Sequence, residues 1–191
     1  MVSHRETSLS KPRHFDEKLA GKRRGQRLWS DTEGHMITTR KILKFGHTLT
    51  GMAFLGAIVV LWVFHEHLAA PTDSLDIYSA QRQVMERIAT LVMMPSLMLS
   101  LLFGIASMTM VQSFHGAPWA WGKLFTTVLM LEGSLLGIQS PVKKEAALAV
   151  SALSDESLIA GLALQAEAEQ LSLILIGLVA IANVALGVWR P

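Results

Sequence analysis

The chain contains no cysteine, so disulfides, thiolate metal sites, iron–sulfur ligation and cysteine nucleophiles are excluded together. Any metal or haem must then be held by His, Met, Lys or carboxylates. Also missing are an internal repeat, a Gly/Ser-rich linker and any motif of a nucleic-acid-binding module. One membrane domain with an N-terminal extension is therefore expected, and nucleic acid is not an expected partner. No small-residue cleavage site closely follows the first apolar run, which begins only at Phe45. That run reads as an uncleaved anchor and not as a removable presequence.

What the sequence does have is apolar weight. Hydrophobic residues make up 51% of its 191 positions, more than an ordinary soluble domain of this size carries, and most of them must face lipid. Four runs, about 45–64, 88–111, 119–138 and 171–189, meet the requirement of roughly 20 predominantly apolar residues for crossing about 30 Å of hydrocarbon. A backbone in lipid must satisfy its own hydrogen bonds, so such runs are helices and not lone strands. The expected fold class is all-α, a transmembrane four-helix bundle (45–191), preceded by a solvated basic extension (1–44) able to touch anionic headgroups.

Charge sets the expected orientation. Residues 1–44 hold eleven Lys/Arg against five acids. With Lys123 and Arg190 that makes thirteen cations on one side of the bilayer, against four (Arg82, Arg87, Lys143, Lys144) on the other. The positive-inside bias puts both termini in the cytoplasm, with Trp119, Trp121 and Trp189 at the cytoplasmic interface. The two outer loops look partly helical. Asp73-Ser74-Leu75-Asp76 opens a helix running through Arg87 into the second span, and Ser154-Asp155-Glu156 offers a cap for a helix running unbroken into the fourth.

Polar residues inside a span are costly, so each is a candidate for function. His47 lies near the inner end of the first span, with Gly51 one turn on along the same face. A neutral imidazole ligates haem iron or copper, and a glycine beside it leaves room for a flat macrocycle or for a close helix. The alternative is a histidine hydrogen-bonded within the bundle. Lys123 opens the third span at about the depth of His47 and either snorkels to the surface or meets an anionic group.

Glu132 follows nine residues later, about 13 Å along the helix and on the opposite face, close to mid-membrane. Gln139, seven residues on, is expected to share its face, and Asn183 of the fourth span is a candidate partner; protonated, Glu132 would simply bond across the bundle, and ionised it would mark a proton or cation path with the other two. Met93, Met94, Met98, Met108 and Met110 concentrate in the second span, either as packing or, at Met108 and Met110, as metal ligands with His47. His65-Glu66-His67 would chelate only if the helix has ended there, since residues two apart diverge by about 200°. Gly133 and Gly137 form a small-xxx-small pattern for close helix packing, and Pro95 marks a kink.

The early His47 and Gly51 within 44–51, the 87–104 segment with Pro95 and Gly104, and tryptophan followed by Lys123 resemble the CopD/HemJ-like bacterial membrane proteins, over about 41–141. The resemblance implies a bundle in the bacterial cytoplasmic (inner) membrane that binds b-type haem, with His47 and Lys123 at the positions of a first-helix histidine and a third-helix lysine. Where the HemJ branch has an aromatic-rich stretch ending Leu-Pro-Arg after the histidine, this chain has Met52-Ala53-Phe54-Leu55-Gly56-Ala57-Ile58, which points away from protoporphyrinogen oxidation. The CopD branch implies copper, held by Met and His. Three functions follow as expectations: a haem-binding redox protein or subunit, a copper or small-solute transporter, and a structural subunit of a homo-oligomer or larger membrane complex.

Overall fold

A computed structural model describes residues 13–110 and 117–188, with side chains described over 37–110 and 117–187. Arg5 and Lys11 of the extension, Val111 at the end of the second apolar run, and Trp189 and Arg190 at the end of the fourth lie outside the described residues. The described elements are all helical: α1 (Arg13–Glu66), α2 (Leu75–Ile88), a π turn (Ala89–Met93), α3 (Met94–Met110), α4 (Pro118–Ser134), a second π turn (Leu135–Gln139), α5 (Ser140–Ala152), a 3-10 turn (Glu156–Gly161) and α6 (Ala166–Val188). The chain divides into two units between Ile42 and Leu43. In the first, the basic extension is helical from Arg13 onward, as its good helix formers Lys, Arg, Glu, Leu and Ala allow even without an apolar period.

Three stretches are long and apolar enough to cross a membrane: Ile37–Glu66, Leu75–Met110 and Ala166–Gly187. The remaining expected run, 119–138, falls on α4 and the second π turn, where Lys123 and Glu132 dilute its apolar content. The helix expected from Asp73 onward does begin, at Leu75, and passes into α3 without a break. The one expected from Ser154 does not run on. Residues 156–161 form only a 3-10 turn, and Ala163 adopts a positive φ of 60°, which interrupts the helix before α6 starts.

Both π turns have one cause. Each is followed after a single residue by a proline, Pro95 after Met93 and Pro141 after Gln139. Proline has no N–H to donate and its ring crowds the carbonyl four residues back, so the preceding turn widens. The expected kink at Pro95 is thus a π turn, and Pro141 makes its counterpart in the neighbouring helix. The two turns pack side by side, with α2 against α5 above them and α3 against α4 below. Gln139 Nε2 donates to Thr90 Oγ1 across the pair at 3.4 Å.

The main core draws on four helical stretches. α1 buries Phe54, Ala57, Ile58 and Leu61, spaced i, i+3, i+4, i+7, against Met85, Met93, Leu97, Met130, Ile138, Leu173 and Ile176. A second, smaller core of Tyr78, Ala149, Ala152 and Leu162 lies at the far end of these helices, roofed by Leu158 and Ile159 of the 3-10 turn. Alanines at 146, 149 and 152 let α5 lie close to α2 there. Met93 and Met94 are core packing, whereas Met98 is exposed.

Candidate functional site

Two places hold polar side chains in arrangements that packing alone does not require. At the near end, His47 of α1 reaches α3. Its Nδ1 lies 2.9 Å from the carbonyl oxygen of Ser100 and 3.2 Å from that residue's hydroxyl. A carbonyl can only accept, so Nδ1 carries the proton, and in the neutral ring Nε2 keeps its lone pair. Beside it a Cβ on Gly46 would stand 2.9 Å from the ring of Phe103, so a larger residue there would displace that ring. A Cβ on Gly51 would stand 3.9 Å from the Ser100 hydroxyl, an ordinary contact, so Gly51 faces α3 with room for a methyl group.

The other expected members of this cluster spread out. Gly104 sits against the His47 ring, and Met108 follows one turn further along α3, half-buried. Met110, two residues on, is exposed, and the ~200° between i and i+2 positions turns it away from Met108. The Lys123 ammonium lies against α6, 2.7 Å from where a Cβ on Gly187 would be. Asn183, one turn before Gly187, donates from Nδ2 to Thr127 Oγ1 at 3.1 Å, while its Oδ1 is buried without a partner among the described residues.

The expected path residues do not meet. Glu132 is exposed, in a stripe with Trp121, Phe125, Val128, Leu129 and Leu136. Gln139 turns instead to Thr90 because the second π turn intervenes and shifts the helical phase between 132 and 139. Asn183 pairs with Thr127 and not with Glu132. Gly133 and Gly137 pack on α6, against Ile176 and Ser172, as their spacing suggested.

At the far end the structure reveals a polar layer that the sequence reading missed. Arg82 is 1% exposed and Glu169 2%. Nη1 of Arg82 donates to both Glu169 oxygens, at 3.0 and 2.8 Å. Its Nε donates to Tyr78 Oη at 3.1 Å, and that hydroxyl donates to Glu145 Oε1 at 2.6 Å. The same Glu145 oxygen accepts from the backbone N–H of Ala163 at 2.6 Å, holding the positive-φ residue in place. His65 Nδ1 stands 3.6 Å from Glu169, buried and without a hydrogen bond among the described residues. Beside it Gln170 donates to Glu66 at 2.6 Å, and His67 turns back to the Val63 carbonyl, so His65 and His67 do not converge as a chelate.

The layer lies between the two cores and links α1, α2, α5 and α6. A signal for it was present. Arg82 occupies the same apolar stripe as Tyr78, Met85 and Ala89, and Glu169 the stripe of Leu173, Ile176 and Ala180. Opposite charges on the buried stripes of two helices imply that the helices meet there.

What each end can do follows from which groups remain open. In the far layer Arg82, Tyr78, Glu145 and Glu169 hydrogen-bond one another, while His65 Nδ1 beside them is left without a hydrogen bond among the described residues. At the near end, Nε2 of His47 makes no hydrogen bond among the described residues, in an otherwise apolar setting. The described residues contain no group of three or more His, Asp or Glu able to hold a metal ion, so a ligand at His47 would rest on imidazole with at most thioether help. No family model, no curated protein and no solved structure matches the chain.

Proposed function

We propose that the chain is a four-span membrane protein, both termini cytoplasmic, that binds b-type haem through His47 and serves in membrane redox chemistry or as a subunit of a redox complex. The observation that carries this reading is the His47–Ser100 contact. Ligating histidines commonly donate their other ring N–H to a backbone carbonyl, which fixes the tautomer and aims the free nitrogen. The donor set fits a single axial imidazole. Bound there, haem would supply one-electron chemistry.

This chain's own contribution is to hold the ring: the Ser100 carbonyl fixes the proton on Nδ1, and Gly104 lies against the ring on α3. Lys123 stands on α4 beside α6 and would meet a carboxylate there. The fourth span is supported by the way 119–138 packs within the same core as the three more apolar helices, through Met130 and Ile138.

The test is an absorption spectrum of the purified protein, as isolated and after addition of haem. A Soret band present in the wild type and lost in His47→Ala supports the reading. A wild type that stays colourless after haem addition would overturn it.

A further inference from the structure

We propose that Arg87 and Lys143 form a binding site for the phosphate of an anionic phospholipid headgroup, on the exposed face where the two π turns meet. The proposal rests on the reading that these helices cross a bilayer. Thr90 and Gln139 are joined by a hydrogen bond on that face, and this fixes which neighbouring side chains share it. Arg87 lies three residues before Thr90 on one helix, and Lys143 four residues after Gln139 on the antiparallel helix. Each is therefore one turn further toward the far end, on adjacent helices, above the same bridge. Both are exposed, as is Lys144, and none of the three makes an ion pair or hydrogen bond among the described residues. Glu145, the carboxylate next in sequence, is turned inward to Tyr78 and Ala163 and does not neutralise them.

Below the bridge the same surface is apolar. Leu91 is 70% exposed and Leu136 63%. Leu75–Met110 is 36 residues long, about 54 Å, against about 30 Å of hydrocarbon. The apolar run 88–111 begins at the residue after Arg87, so Arg87 falls at its outer edge, at headgroup level. Cations above and leucines below match a phospholipid, whose phosphate lies a few ångströms above its acyl chains. A free anion would have no use for the leucines.

The test is native mass spectrometry of the detergent-solubilised full chain with phosphatidylglycerol, phosphatidylcholine or inorganic phosphate added. Wild type should retain phosphatidylglycerol in preference to phosphatidylcholine. Arg87→Gln and Lys143→Gln should each weaken that preference about fivefold, the equivalent of about 1 kcal/mol per cation. Arg23→Gln with Arg24→Gln, which removes the same charge from the extension, should leave it in place. Equal retention of the two lipids, an unchanged preference in the double variant Arg87→Gln/Lys143→Gln, or displacement of the lipid by inorganic phosphate would overturn the site. Extraction of the chain from membranes by alkaline carbonate would instead overturn the spanning reading on which the site rests.

Discussion

The two ends of the helical core solve opposite problems with similar materials. At the far end two full charges and a tyrosine are buried and, with a half-buried second carboxylate, hydrogen-bond one another. At the near end a single imidazole is anchored through one nitrogen while the other stays open. The difference teaches where to look for structure and where for chemistry. A closed network fixes the register of four helices, whereas an anchored group with a free lone pair is prepared for a ligand.

The largest expected effect comes from opening the closed end. Arg82→Met leaves Glu169 as an uncompensated buried carboxylate, and thermal or denaturant unfolding in detergent should show a loss of about 3–5 kcal/mol. Arg82→Met combined with Glu169→Leu should be markedly less harmful than either change alone. If instead the two losses add, the pair is not the unit described.

Next comes packing between the ends. Gly137→Leu places a side chain where a Cβ alone would be 2.8 Å from Ser172 Oγ, a hydroxyl already bonded to Ala168, and overpacking of about 1–3 kcal/mol is expected in the same assay. Tyr78→Phe removes the hydroxyl between Arg82 and Glu145, at a cost of about 1–3 kcal/mol. His47→Ala should cost no more than about 1 kcal/mol, because its one anchoring hydrogen bond is only part-buried, and it should change the spectrum instead.

The smallest effect concerns pH. The hydroxyl and backbone N–H of Ser157 both donate to Asp155 and hold its carboxyl below the usual aspartate range. A lowered folded-state pKa stabilises fully above the ordinary aspartate value and is lost as pH falls through the lowered one. The protection factor of the Ser157 amide, its exchange rate compared with the intrinsic rate at the same pH, should therefore fall on acidification in the wild type, and Asp155→Asn should remove that pH dependence.

How much of this was legible in the sequence depends on the range of the interaction. The apolar runs, the helix opening at Leu75 and the Gly133/Gly137 contact follow from composition and spacing along one helix. The second π turn was equally local but went unread, because Pro141 lies at the edge of an apolar run and only Pro95 lies inside one. α-Helical spacing puts Gln139 on the face of Glu132, but the turn between them is not α-helical and Gln139 faces Thr90 instead.

The far layer depends on residues 87 positions apart, Arg82 and Glu169, and no period reveals a partner at that distance. Counted by side of the membrane, Arg82 looked like one of four outer cations; counted by stripe, it points into the core. At the near end the sequence singles out His47 and Gly51, and the structure sets both against Ser100 of α3, a residue that no spacing along α1 reveals.

The proton on His47 is the most direct test of the difference between the two ends. Nitrogen NMR of 15N-histidine-labelled protein at neutral pH, assigned with His47→Gln, reads both ring nitrogens without any bound cofactor. The Ser100 carbonyl requires a protonated Nδ1, which in the neutral ring leaves Nε2 bare. A proton found on Nε2 would mean that the open nitrogen is not open, and the functional reading of the near end would fall with it.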